Sequence, residues 1–353
     1  MKILIKICLF FAVFFYILFF GEMFLRLFSP VPILPRYVCA TSFGIRGNLP
    51  NASYWQKTAE YKINVRTNSK GIRSDREIPY EKPDGVKRIV VLGDSFGMGY
   101  EADLPDTFLF MMEQGLTHAG KKIEVVNLSV SGHGNAEELI MLQNEGIKYS
   151  PDLVLLVWQE TDLEDNLRSD LFGVKDDALT VRSKEYLPAI KTRALLDRIP
   201  LYKWLESESN LYCWIREGLA KVTKNVLVTI KSKSFEKSNG NKAGDNHSEL
   251  DDYKDKLTCL LVKEIKKESR KAGADFILFD VPQYNPKSGA ISLLPKNMLD
   301  PKEDIRIVSV VDDFRKYRNE RLFWDKSHWH FTPRANGIVG RAIARYILDH
   351  NLN

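Results

Sequence analysis

A serine hydroxyl is inert until a base takes its proton, so the first question is which serine has company that could serve it. The stretch "VVLGDSFGMGY", residues 90 to 100, runs an apolar strand into a turn that holds Ser95 between Asp94 and Phe96. Gly-Asp-Ser alone would arise by chance in about one in ten chains of this length, so the weight falls on three further polar clusters. These are "NLSVSGHG" (127 to 134), "VWQETDLEDN" (157 to 166) and the tail "FWDKSHWHFTPRANGIVGRAIARYI", which carries Asp325, His328 and His330.

Something must bring these clusters together. Short apolar runs, "RIVVL" (88 to 92), "IEVVNL" (123 to 128), "LVLLVW" (153 to 158) and "DFILFD" (275 to 280), alternate with stretches of helical period, "DTFLFMMEQGLTHAG" and "AEELIMLQNEGIKYS". Continuous apolar strands separated by helices predict an α/β fold, a doubly wound parallel sheet covered on both faces. The first three clusters then each follow a strand, and all four lie at one edge of the sheet, where open α/β sheets hold their ligands. That position favours chemistry at Ser95 over a mere turn.

Residues 29 to 84, with Pro30, Pro32, Pro35, Pro50, Pro79 and Pro83, read as an irregular lead-in to an α/β domain over 85 to 353. An insertion at about 168 to 260 interrupts the rhythm. It holds a hairpin around "LFGVKDDALTV", a helix near "LYCWIREGLAKVTKNVLVTI" and a polar stretch, "KSKSFEKSNGNKAGDNHSEL", expected to be a flexible surface loop. In front stands "MKILIKICLFFAVFFYILFFGEMFLRLF", residues 1 to 28. Its uncharged run from Ile7 to Gly21 is extended by Ile3 to Ile5 if Lys6 snorkels. Hydrophobic on all sides and followed by no small-residue cleavage site, it reads as an uncleaved signal anchor rather than a signal peptide or core helix. Lys2 and Lys6 keep the N-terminus in the cytoplasm. The expectation is a single-pass protein of the cytoplasmic (inner) membrane with its α/β domain on the extracytoplasmic side.

Composition narrows the rest. A net charge of +5, from 51 basic and 46 acidic residues scattered along the chain, argues against nucleic acid as a partner. Cys8, Cys39, Cys213 and Cys259 form no CxxC or Cys/His pattern, so no metal site is expected. Cys39, Cys213 and Cys259 leave room for one disulfide in an oxidising compartment, which the sequence does not assign. "GDSFGMG" has neither the Lys-Ser/Thr ending of a phosphate loop nor the spacing of a dinucleotide turn.

The clusters together resemble the four blocks of the SGNH (GDSL-type) hydrolases. "GDSF" at 93 to 96 is similar to the first, Gly132 in "VSGHG" to the second, "ETDLEDN" to the third and the Asp/His tail to the last. The lead-in "NSKGIRSDREIPYEKPDGVKRIVVLGDSFGMG" resembles membrane-anchored bacterial members. The resemblance spans about residues 60 to 350 apart from much of the insertion. It implies a flavodoxin-like fold and no cofactor. Ser95 would be the nucleophile, a tail histidine its base, an aspartate the group fixing that histidine's tautomer, and the amides of Ser95 and Gly132 plus a block-three side chain the oxyanion donors.

Two departures stand out. Asp325 and His328 have the Asp-x-x-His spacing, yet it is His330 that precedes "FTPRAN", with Thr332 as N-cap and Pro333 at the first helical position. His330 is therefore the favoured base, and Asp325 lies two residues farther from it than the pattern implies. Thr161 stands where an asparagine is usual, with Gln159 or Asn135 as substitute donors. The blander readings are a tight turn for Gly132, a surface turn for His133, solvated capping residues for Asp165 and Asn166, and packing for Trp329 and Phe331, whose rings could also hold a sugar. Two functions follow. One is a serine esterase or O-acyltransferase acting on acyl esters, acetyl above all, of cell-envelope glycans or lipids. The other is a catalytically silent module of the same fold that binds polysaccharide or supports a partner membrane acyltransferase. Thr161 and the shifted Asp325 spacing favour silence; Ser95, the anchor and two histidines favour activity.

Overall fold

A computed structural model of the protein describes residues 2–35, 37–238 and 247–352. Helix α1 (Lys2–Phe28) has no buried residue and is, among the described residues, the one helix long and apolar enough to cross a membrane. Two antiparallel hairpins follow, β1 (Val38–Ala40) with β2 (Arg46–Asn48) and β3 (Ser53–Lys57) with β4 (Lys62–Arg66). The expected irregular lead-in is thus partly regular. Tyr54, Gln56, Ile63 and Val65 alternate with outward residues at period two, a signal that the surrounding prolines obscure.

The α/β core then begins with β5 (Lys87–Gly93), α2 (Ser95–Met98), α3 (Phe108–His118) and β6 (Ile123–Asn127). Next come α4 (Asn135–Asn144), β7 (Leu153–Trp158) and α5 (Asp162–Ser169). The inserted part holds the hairpin β8 (Phe172–Lys175) and β9 (Ala178–Val181), α6 (Ile190–Leu196), α7 (Tyr202–Glu208) and α8 (Asn210–Ser238). The chain finishes with α9 (His247–Lys271), β10 (Asp275–Asp280), the hairpin β11 (Gln283–Asn285) and β12 (Gly289–Ile291), β13 (Ile307–Ser309), α10 (Val311–Lys316) and α11 (Pro333–Asp349).

Five parallel strands stand in the order β13-β10-β7-β5-β6, the flavodoxin-like order, which reverses direction between β5 and β7. Alternate residues of each strand feed two separate cores. Ile89, Val91, Leu155, Val157 and Phe279 meet Phe108, Met112, Ile338 and Ile343 of α3 and α11 on one face. Val90, Leu92, Leu156, Trp158 and Leu278 meet Leu139, Leu142, Leu257 and Leu261 of α4 and α9 on the other. This is the doubly wound sheet the apolar runs predict.

Three expectations are corrected. The polar stretch from Lys231 to Leu250 is not simply a loop, since α8 runs on to Ser238 and α9 starts at His247, with 239–246 outside the described residues. Lysine, glutamate and serine are tolerable helix formers once a helix is nucleated. Helix α9 is also a wall of the core, so part of the segment read as insertion belongs to the sheet's own cover. The cysteines are all free thiols, Cys213 and Cys259 buried.

Candidate functional site

The strand order reverses at β5 and β7, so their carboxyl ends open on a crevice. Ser95 opens α2 straight after β5, and Asp94 caps that turn by accepting from the Phe96 amide at 2.8 Å. Ser95 Oγ lies 2.8 Å from His330 Nε2. His330 is held by the tail as its flanking sequence predicts: Thr332 caps α11 by accepting from the Ala335 amide, Pro333 fills its first position, and Phe331 is buried among Phe96, Phe314 and Phe323. The His330 ring itself packs beside Phe96 and Tyr100, at centroid distances of 4.8 and 5.8 Å.

His330 Nδ1 faces Glu101 Oε1 at 3.0 Å. Asp325 does not approach this ring. It is exposed and paired with Arg321, which holds its carboxyl below the usual range. Glu101 is 1% exposed and sits in the left-handed region at φ +65°, a costly conformation for a residue with a side chain. Its surroundings compensate: Ser327 Oγ donates to Oε1 at 2.7 Å, the His328 amide donates at 3.4 Å, and the Glu101 amide donates to Gln56 Oε1. Burial opposes the Glu101 charge, yet hydrogen bonds from His328, His330 and Ser327 and the nearby His330 charge outweigh it and hold the carboxyl well below its ordinary value. His328 lies farther out, 38% exposed, with Nδ1 3.5 Å from the same oxygen.

Glu101 is the residue that reading the sequence missed. It stands six positions after Ser95 with no motif around it. The hairpin β3–β4, assigned to the lead-in, also takes part. Gln56 receives the Glu101 amide, Tyr61 Oη meets Ser327 Oγ at 3.5 Å, and Glu60 accepts from the Lys326 amide and pairs with Arg321.

On the donor side, Gly132 sits at φ +78°, and a Cβ there would come within 3.2 Å of the Arg46 guanidinium, which donates to the Gly132 carbonyl. Gly132 therefore occupies a tight turn that a side chain would strain. Thr161 spends its hydroxyl on Gln159 Oε1 at 2.8 Å. That bond orients the Gln159 amide and leaves its Nε2 without a partner among the described residues. Asn135 is fully engaged, donating to Glu138 and Asp162. Gln159 lines a cleft of about 340 Å³ with Phe96, Gln283, Tyr284, His328 and Trp329. Half-exposed Tyr284 and Trp329 stack there with centroids 4.8 Å apart, so Trp329 is not packed beneath the sheet edge as Phe331 is.

Beneath the cleft lies a polar layer. His133 is buried, not at a surface turn, and meets the Arg46 carbonyl at 2.9 Å; burial, with the Arg46 charge, pushes its pKa down to about 3. Asp165 and Asn166 are likewise buried in α5 rather than solvated. Asn166 accepts from the Ala136 amide and donates to Asn135 and Thr258, tying α5 to α4 and α9. Burial pushes Asp94 up to about 6, and Glu138 and Asp162 well above their ordinary values.

The arrangement can move a proton from Ser95 Oγ to His330 Nε2 while Glu101 stabilises the resulting imidazolium. No group of His, Cys, Asp and Glu among the described residues has the geometry of a metal site. No family model and no curated protein matches the chain. Among solved structures it is similar to TesA (11% identity over 74% of this chain and 98% of that one, TM-score 0.40) and to Axe2, an acetylxylan esterase from Geobacillus stearothermophilus (12%, 74% and 94%, 0.40). It is also similar to a lipase/acylhydrolase from Enterococcus faecalis (13%, 75% and 96%, 0.38). At such TM-scores the likeness is loose, and what the site can do follows from its own geometry.

Proposed function

We propose that this protein is a serine esterase or O-acyltransferase of the SGNH type, acting on acyl esters of cell-envelope glycans, with Ser95 as nucleophile, His330 as base and Glu101 as the acid that orients it. The observation that carries this reading is the 2.8 Å contact between Ser95 Oγ and His330 Nε2, backed by the buried Glu101 carboxylate 3.0 Å from Nδ1. In the first step Ser95 Oγ bonds to the ester carbonyl carbon as its proton passes to Nε2. The oxyanion is received by the Ser95 and Gly132 amides and by the Gln159 amide. Collapse breaks the ester bond, and the departing alcohol takes the proton from Nε2. Water or a sugar hydroxyl then gives its proton to Nε2 as its oxygen bonds to the acyl carbon; the bond to Ser95 Oγ breaks and Oγ takes the proton back from Nε2.

The two features that spoke for a silent module lose their force here. Glu101 stands in for the displaced Asp325, and Gln159, oriented by Thr161, for the missing asparagine. A sugar is favoured over a lipid tail because the Tyr284–Trp329 stack offers a flat aromatic platform beside polar Gln159 and Gln283. The apolar α1, with no buried residue, supports a membrane anchor, with Lys2 and Lys6 on the cytoplasmic side and the site outside.

The test is covalent labelling of the full-length chain in detergent with a serine-directed phosphonate. Attachment at Ser95 is expected, and Ser95→Ala is expected to abolish turnover of short acyl esters with the thermal midpoint moved by only a few degrees. Folded protein that takes no label, or an alanine variant that keeps its activity, refutes the reading.

A further inference from the structure

Helix α8 is amphipathic the wrong way round for a helix on a water-soluble domain. The side turned to the domain is held by ion pairs, beside buried Cys213. Lys224 pairs with Asp165 at 3.1 Å, Lys231 with Asp170 at 2.5 Å, and Arg216 with Glu206 and Glu217. Its opposite side carries Ile215, Leu219, Val222, Val226 and Ile230, all exposed, Leu219 to 63%. At 100° per residue these five fall within one narrow stripe about 22 Å long. Leu201, Trp204 and Trp214, before and at the start of the helix, are exposed as well. An apolar stripe of this kind needs a cover.

What lies next to it says what the cover is. The first turn of α8 is bonded to the last turns of α1: Glu22 accepts from the Asn210 and Leu211 amides at 3.0 and 2.8 Å and from Ser209 Oγ, while Arg26 donates to the Glu208 carbonyl at 2.6 Å. Leu211 packs over Gly21. If α1 spans the bilayer, residues 22 to 26 mark its outer edge, and α8 starts at that level.

We propose that α8, with the α7 segment before it, lies in the outer interface of the same bilayer. The stripe from Ile215 to Ile230 would sit at the boundary of headgroups and acyl chains, and Trp204 and Trp214 at headgroup depth. Exposed Arg198, Lys203 and Lys221 on the same segment suit anionic headgroups. The inference rests on the reading of α1 as an anchor. It adds a second attachment, which fixes the orientation of the α/β domain over the membrane instead of leaving it on a swivel.

The experiment uses the full chain, one copy per nanodisc of phosphatidylcholine and phosphatidylglycerol, with Cys8→Ser and Cys39→Ser and an NBD dye on Leu219→Cys. A blue-shifted emission, quenched at least twofold by lipids bearing a shallow spin label and little by aqueous iodide, is expected. A dye in water, quenched by iodide while the chain still resists carbonate extraction, overturns the docking surface and leaves the anchor standing. A shift seen only with two chains per disc also overturns it, since a second copy would then be the cover. Release of the chain by carbonate sinks the anchor and the docking surface together.

Discussion

At the scale of single residues, the orienting acid is what separates the structure from the spacing of the tail. A carboxylate helps a base only if it is desolvated and aimed at Nδ1, and Glu101 is both, whereas Asp325 faces solvent with Arg321. Glu101→Gln is expected to lower kcat on short esters by about 10³- to 10⁴-fold with little change in KM. Asp325→Asn is expected to leave kcat within about threefold, because an exposed ion pair contributes little. His330→Ala should match Glu101→Gln or exceed it, and His328→Ala should cost far less. Steady-state kinetics on the four variants checks the ranking; an Asp325→Asn enzyme as impaired as Glu101→Gln would return the role to Asp325.

Among elements, α2 is the part with least freedom. It is a single turn, and it sets Ser95 because it packs closely on the end of β6 and the chain just after it, at Asn127 and Ser129. A Cβ at Gly97 would come within 2.4 Å of Ser129 Oγ and 3.0 Å of Ser129 Cβ, and Asn127 Nδ2 donates to the Gly97 carbonyl at 2.8 Å. Gly97→Ala must therefore push α2 away from Ser129. It is expected to cost about 1–3 kcal/mol of stability and, by displacing Ser95 from His330, at least 100-fold in kcat. Gly97→Ala with Ser129→Gly should recover much of both, since the clash is with the serine side chain. Chemical denaturation and ester turnover on the single and double variants decide it, and a single variant with normal turnover would show that α2 does not position the nucleophile.

For the whole molecule, the buried acids beneath the cleft set how stability varies with pH. Burial, reinforced by the Asp165 charge and opposed by Arg46, pushes Glu137 up to about 7, beside Asp94 at about 6 and the raised Glu138 and Asp162. Unfolded, all four return to about 4. The native state then holds protons the unfolded chain has lost, so stability falls as pH rises through the native values. Buried His133, pushed down to about 3, works the other way below about pH 6.5, where the unfolded imidazole gains a proton. Above pH 6.5 that opposing contribution is gone. The thermal midpoint is expected to drop by roughly 3 °C or more between pH 6.5 and 8.5. Glu137→Gln should flatten that slope, and a midpoint that rises over the same range would contradict it.

The parts that the sequence determined by itself are those encoded by local pattern. Unbroken apolar runs such as "LVLLVW", short and alternating with stretches of helical period, read as strands buried on both faces, and the doubly wound sheet follows from that alternation. Thr332 and Pro333 mark the start of a helix, which favours His330 over His328 from sequence, although only the fold brings His330 to Ser95. The uncharged apolar run from Ile7 to Gly21 needs no fold to be recognised. Tertiary structure alone decided the rest, because it turns on which chain segments close over which. Glu101 meets His330 only where the loop after α2, the tail and the β3–β4 hairpin come together, and no spacing rule joins residues 56, 101 and 330. Asp165, Asn166 and His133 are polar by type and read as solvated, but α4, α5 and α9 shut them from water. The apolar side of α8 carries no sign in its sequence of facing outward; that follows from Lys224 and Lys231 finding their carboxylates on the domain. Burial and pairing across distant segments are energies of the assembled molecule, and local sequence does not contain them.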